Sequence, residues 1–76
     1  MMEKIIELLK RRKPEVDFEH ETALIDKHIL DSLSIMALVV DLNQEFDIEI
    51  SPLDAVPENF QSAQAICEMV NRLREE

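Results

Sequence analysis

Residues 28–36 read HILDSLSIM, and this stretch marks the start of the helix that decides the fold. An apolar helical pattern begins directly after Ser32 and continues to Phe46, which predicts a helix over 32–46. Asp31 stands where a capping side chain would accept a backbone N–H. At the first turn, the Ser32 hydroxyl would lie beside unpaired N–H groups and the positive end of the helix dipole. An Asp-Ser pair at a helix start most often serves only to cap the helix. Any further chemical role has to be judged from the residues around it.

The predicted helix carries two apolar stripes on nearly opposite sides. One stripe forms an ordinary core face made of Ile35, Leu38, Val39, Leu42 and Phe46. The other begins next to Ser32 and consists of Leu33, Met36, Ala37 and Val40. A helix in so small a bundle can hardly bury both faces within its own domain. We therefore expect the second stripe to be exposed and to serve as a docking surface for a partner. The alternative is that the long loop before the helix folds over it.

The remaining sequence predicts further helices and one long connection. Residues 2–12 have helical apolar spacing and are stopped by a proline, and residues 14–31 form a connection with enough apolar side chains to be ordered. Residues 47–50 alternate like a strand without a partner strand, which favours an extended segment. A short helix is expected to begin at Ser51 and to end at Pro57, and a last helix to run from its cap Ser62 to Arg74. The expected fold is all-α: three longer helices and one short helix in a small four-helix bundle.

Composition narrows the functional classes. The 76 residues include eight basic and seventeen acidic side chains, for a net charge of −9, which disfavours nucleic acid and anionic membranes as partners. We expect one domain over 1–76, monomeric and cytoplasmic, without membrane insertion, because no apolar run approaches spanning length. The single cysteine, Cys67, excludes an internal disulfide and fits a reducing compartment. An acidic domain of this kind is expected to bind proteins with basic surfaces.

A cationic run, KRRK, occupies residues 10–13 at the end of the first predicted helix. One interpretation is a patch that binds anions. The favoured interpretation is a cationic helix C-terminus, because the run is short and acidic residues surround it.

Catalytic and metal-binding patterns are absent from the sequence. There is no glycine, which excludes glycine-rich phosphate loops, and no nucleophile-elbow sequence surrounds Ser32. His20 and His28 do not have metal-ligand spacing with Cys67, so no metal site is expected. A chain of this size also has little room for an enclosed catalytic pocket. We therefore expect neither catalytic residues nor an enzyme.

The Asp31-Ser32-Leu33 motif at the start of an apolar helix resembles the attachment motif of acyl carrier and peptidyl carrier proteins. The likeness extends to EFDIEI at residues 45–50, the chain length, the acidity and the order of helices. It implies an acyl-carrier-protein-like fold in which Ser32 receives 4′-phosphopantetheine from coenzyme A through a phosphopantetheinyl transferase. The thiol of this arm would then hold an acyl or aminoacyl group as a thioester.

The resemblance also implies partners and the residues that contact them. Asp31 and Leu33 would contact the transferase. The helix that follows would dock an acyl- or aminoacyl-loading ligase and downstream acyl-transfer enzymes. The partner-binding set expected on that helix consists of Asp31, Leu33, Met36, Ala37, Val40, Asp41 and Glu45.

Two departures from the family pattern concern the subfamily. Many members have glycine two positions before the aspartate, where this chain has Ile29. Fatty-acid carriers also have many carboxylates along the helix, whereas here only Asp41, Glu45 and Asp47 are acidic. ILDS, FDIEI and PENF are more similar to stand-alone carriers served by an adenylating ligase, such as the D-alanyl carrier type. The alternative function is a helical protein–protein interaction module with the same fold that is never modified.

Overall fold

Three α-helices and one 3₁₀ turn make up the regular structure of the chain. The computed structural model describes residues 1–75, with helices α1 (Met2–Arg12), α2 (Ser32–Phe46) and α3 (Ala63–Arg74), and the 3₁₀ turn Pro57–Asn59 between α2 and α3. No strand occurs within residues 1–75. The predicted all-α bundle is confirmed, and the bounds of the three longer helices agree with those expected from the sequence.

Each helix begins or ends at a residue whose chemistry explains the boundary. The side chain of Ser62 accepts the Ala65 N–H at 3.0 Å and so caps α3. Helix α2 ends at Asp47, which is left-handed with φ 52°, and its N–H donates to the Asn43 carbonyl. His28 is also left-handed, with φ 59°. Since the chain contains no glycine, these positions are taken by an aspartate and a histidine, which tolerate positive φ better than most residues.

The core is built from all three helices and from the connections between them. Helix α2 turns one face inward, with Leu38 and Leu42 buried and Ile35 packed partly against the core. This is the core face that the sequence predicted. The buried side chains are Ile5, Leu8, Leu9, Phe18, Leu24, Leu30, Leu38, Leu42, Ile50, Phe60, Ala63, Ile66, Met69 and Val70.

The long connection between α1 and α2 is ordered, as predicted. Phe18 and Leu24 are buried, so the loop supplies part of the core. The Leu24 N–H donates to the Gln61 carbonyl at 2.8 Å, and the Ile25 N–H donates to the Gln61 side chain at 3.1 Å. The loop is thereby tied to the segment that enters α3. It does not cover the second apolar stripe of α2, whose larger side chains are exposed.

The short helix lies elsewhere than expected. Residues 51–55 form a single turn, in which the Ser51 carbonyl accepts the N–H groups of Asp54 and Ala55. Pro57 begins the 3₁₀ turn and does not end a helix. Proline suits the first position of a helix because it has no N–H to leave unpaired, and it forces the preceding Val56 into an extended conformation. The prediction that Pro57 ends a helix is therefore wrong, because Pro57 is the first residue of the 3₁₀ turn.

Leu9→Ala and Leu53→Ala remove the same atoms from opposite environments. Leu9 is 1% exposed, so its truncation should lower the free energy of unfolding by about 2–5 kcal/mol. Leu53 is 89% exposed, and its truncation should change that free energy by less than about 0.5 kcal/mol. Urea denaturation of both variants measures the difference. Equal destabilisation would contradict the assignment of Leu9 to the core.

Candidate functional site

Asp31 is the N-cap of α2. The Ser34 N–H donates to Oδ1 of Asp31 at 2.8 Å, and the backbone of Asp31 is extended. Ser32 follows as the first residue of the helix and is exposed. Because the carboxylate of Asp31 does the capping, the Ser32 hydroxyl is not needed to satisfy the backbone of the first turn.

The electrostatic environment keeps Asp31 ionised. The hydrogen bond from the Ser34 N–H lowers the pKa of the Asp31 carboxyl below its ordinary value, and the Ser34 hydroxyl and the charge of Lys13 act in the same direction. The start of α2 thus presents a carboxylate and, beside it, a free hydroxyl at the positive end of the helix dipole.

The second apolar stripe of α2 begins directly after this pair. Leu33 is 78% exposed, Met36 66% and Val40 52%, and Ala37 is partly exposed. A largely apolar groove of about 370 Å³ runs alongside, between α2 and the turn that follows it. Its lining consists of Ile35, Met36, Val39, Val40, Ile50, Ser51, Pro52 and Ala55. Exposed apolar surface of this extent next to Ser32 is typical of a docking surface.

Leu53 adds to this apolar surface and was missed by sequence reasoning. It follows Pro52 of the groove and is almost fully exposed. The sequence predicted a short helix over residues 51–57, and a residue of such a helix can face the core. The exposure of Leu53 was therefore not expected. The signal that could have found it is the short turn sequence SPLD, in which an apolar residue follows proline at a turn.

The two acidic residues predicted on the partner side of α2 differ in their surroundings. The Asp41 carboxylate is paired with Arg12 of α1, whose Nη2 and Nε donate to Oδ2 at 2.8 and 3.2 Å. Glu45 is exposed one turn further along. The structure therefore brings Leu33, Met36, Val40 and the Asp31-Ser32 pair onto accessible surface, while the charge of Asp41 is partly neutralised within the chain.

Other candidate chemistry does not assemble around the site. Among residues 1–75, no three His, Cys, Asp or Glu side chains lie close enough together to hold a metal ion. In the same part of the chain, no helix is long and apolar enough to cross a membrane. Cys67 is a half-buried free thiol on α3, next to the Asn71 amide.

The sequence model of the phosphopantetheine attachment site family matches residues 1–70. The chain belongs to this family. Its members carry a 4′-phosphopantetheine group and act as carriers. Comparison with curated proteins gives no match, and comparison with solved structures gives none either.

The start of α2 fits the prosthetic group of this family. The phosphate of the group would stand at the first turn of a helix, where N–H groups and the helix dipole favour an anion. Ser32 is exposed and has no capping duty, so a phosphoester on its oxygen would displace no packed side chain and break no cap. The adjacent apolar stripe would remain accessible to the enzymes that a carrier visits.

The cap gives a pH-dependent prediction. The pKa of Asp31 in the folded protein lies below the ordinary aspartate value of 3.8, so the charged cap stabilises the folded protein above about that pH. This contribution is lost as the pH falls through the folded pKa. Asp31→Ala should lower the melting temperature at neutral pH, whereas Asp31→Asn should preserve it, because asparagine caps as well as aspartate.

Thermal melts between pH 2 and 7 and an NMR titration of the Asp31 carboxyl measure these effects. Asp31→Asn is the matched control, because it keeps the cap without a titrating group. An Asp31 pKa at or above 3.8, or an Asp31→Ala protein that melts like the parent, would contradict the capping role.

Proposed function

We propose that this chain carries an acyl or aminoacyl group as a thioester on 4′-phosphopantetheine attached to Ser32, and that it catalyses no reaction itself. The observation that supports this most directly is the exposed Ser32 at the first position of α2, in a chain that the family matches over residues 1–70.

The other serines have different environments. The chain contains four, and Ser32 is exposed whereas the other three are partly buried. Ser62 accepts the Ala65 N–H as the cap of α3, and the Ser51 hydroxyl donates to the Asp54 carboxylate at 3.0 Å. Ser34 is partly buried, with its N–H bound to Asp31. These surroundings favour Ser32 as the modified residue.

The attachment is a phosphoryl transfer in which this chain supplies the nucleophile. The Ser32 hydroxyl oxygen forms a bond to the phosphorus that bears pantetheine in coenzyme A. The pyrophosphate bond of coenzyme A breaks, 3′,5′-ADP leaves, and the hydroxyl proton passes to a base of the transferase. Asp31 holds the first turn of α2 in place, and Asp31 and Leu33 contact the transferase. When bound, the group supplies a thiol that holds the cargo.

Partner enzymes dock on the second apolar stripe of α2. Burying Met36 and Val40 at a well-packed contact contributes on the order of 1–3 kcal/mol each, whereas a rim carboxylate contributes less than about 1 kcal/mol. Asp41 is further weakened as a contact because Arg12 already binds it. Glu45 and Ala37 lie at the edges of this surface. We therefore expect apolar docking to dominate, with charge mainly affecting the encounter rate.

The partners follow from this role. They comprise a phosphopantetheinyl transferase, a ligase that loads the thiol, and enzymes that take the acyl group onward. The absence of charge from Ser32 to Val40 supports a ligase-served carrier of the D-alanyl type over a fatty-acid-synthase carrier. The rival is an unmodified interaction module, which would use the same apolar surface but would never receive the arm.

Incubation with a broad-specificity phosphopantetheinyl transferase and coenzyme A, followed by intact-mass measurement, separates the two functions. The parent should gain one phosphopantetheine and Ser32→Ala none, because the nucleophilic oxygen is gone. Ser34→Ala is the matched control and should be modified like the parent. A parent protein that stays unmodified supports the interaction module, and a modified Ser32→Ala protein would contradict the site.

Loading kinetics test the docking surface. Met36→Ala and Val40→Asp should each raise the KM of the loading ligase for the modified carrier by roughly ten-fold, because buried apolar area is lost. Asp41→Asn should raise it less, and mainly at low salt. Gln64→Ala, an exposed residue on α3 and therefore not on this helix, is the control, and circular dichroism confirms that each variant is folded. If Asp41→Asn raises the KM strongly and Met36→Ala leaves it unchanged, the acidic residues and not the apolar stripe are the docking surface.

A further inference from the structure

The cationic end of α1 lies against the first turns of α2. Four of the eight Lys and Arg residues of the chain occur at 10–13. A groove of about 350 Å³ separates this end of α1 from α2. It is lined by Arg11, Arg12, Lys13, Leu33, Ser34 and Ala37. The cationic run is therefore more than a helix end, because it forms one wall of a surface whose other wall carries two residues of the apolar stripe.

The three cations of this groove differ in whether they are ion-paired. Arg11 is paired with Glu7 at 2.9 Å, and Arg12 with Asp41 at 2.8 Å. Lys13 makes no ion pair within residues 1–75, although its charge is felt by Asp31. Apart from the N-cap Asp31, the facing turns of α2 contribute no charge, because residues 32–40 are uncharged. Lys13 is thus the cation of this wall that has no ion-pair partner within residues 1–75, and it is partly exposed.

We propose that this cationic groove, lined by Arg11, Arg12 and Lys13 on one side and by Leu33 and Ala37 on the other, receives carboxylate side chains of partner enzymes. The inference rests on the proposed carrier function and deepens it. It gives the partner a surface that is acidic opposite the end of α1 and apolar opposite α2. The overall charge of −9 suggests the opposite, a partner with a uniformly basic surface.

The occupant is a protein because of what surrounds the groove. Leu33 and Ala37 offer apolar contact next to the cations, which suits a protein surface with mixed character. A nucleic acid would extend over much more of the chain than a peptide of about ten residues, and the net charge of −9 repels a long polyanion. A local cluster of carboxylates needs only the groove itself.

An NMR titration of the unmodified, ¹⁵N-labelled protein tests the proposal with decaglutamate as the probe and decaglutamine as its neutral counterpart. At about 0.1 M ionic strength the screening length is about 10 Å, so the distant acidic side chains repel the probe only weakly. Decaglutamate should shift the amide signals of Lys13, Leu33, Ser34 and Ala37, and decaglutamine should not.

Lys13→Glu and Lys10→Glu make the same charge change near the same helix end. Lys13 lines the groove, whereas Lys10 acts on Asp17 of the loop and does not. Lys13→Glu should weaken decaglutamate binding by roughly five-fold, and Lys10→Glu should leave it nearly unchanged. Separate titrations with inorganic phosphate and a single-stranded oligonucleotide compare other anions.

Several results would overturn the proposal: no shifts up to millimolar peptide, equal weakening by both variants, or tighter binding of phosphate or the oligonucleotide than of decaglutamate. The experiment involves neither the transferase nor the Ser32 hydroxyl. If the peptide does not bind, the proposed carrier function is unaffected. If Ser32 is not modified by the transferase, the peptide titration can still be interpreted.

Discussion

Helix α2 is apolar on two sides, and α1 and α3 can cover only one of them. Leu38 and Leu42 on one face are buried in the core, and the loop before α2 is tied to the entrance of α3 by the Leu24–Gln61 backbone hydrogen bond. The other face is consequently left in water. Its exposure weakens no core contact, but it keeps apolar area accessible directly behind Ser32. The arrangement that holds the bundle together thus also creates the surface available to partners.

Charge is distributed so that this surface stays nearly neutral. Apart from the N-cap Asp31, the acidic residues that give the chain its net charge of −9 lie outside the first turns of α2, and Arg12 pairs with Asp41, the first acidic residue after the uncharged stretch 32–40. An exposed or half-exposed ion pair of this kind adds little to stability, about 1 kcal/mol or less. The pair also offsets the charge of an anion on the side of α2 that faces α1.

Much of this architecture could be predicted from residue spacing. The bounds of α2 follow from Asp31, a side chain that caps, and from apolar periodicity that ends at Phe46. The exposure of Met36 follows from the impossibility of burying two faces. The ambiguity of Pro57 could not be resolved from sequence, because proline both stops a helix and starts one, and the deciding factor is the path of the chain around it.

The partner of Asp41 and the position of Lys13 were also beyond sequence reasoning. Both depend on how α1 and α2 lie against each other, and the two helices are separated by a loop of nineteen positions, 13–31, whose route is set by contacts with residues near Gln61. The sequence indicated which side chains were cationic. Only the packing shows that they border the start of α2.

The different roles of Asp31 and Ser32 bear on whether the fold depends on attachment of the arm. Since the Asp31 carboxylate and not the Ser32 hydroxyl caps α2, the fold would not depend on the arm that we propose for Ser32. Attachment of the arm would then modify a protein that is already folded. On the proposed function, one molecule could therefore gain the arm or lose it without refolding.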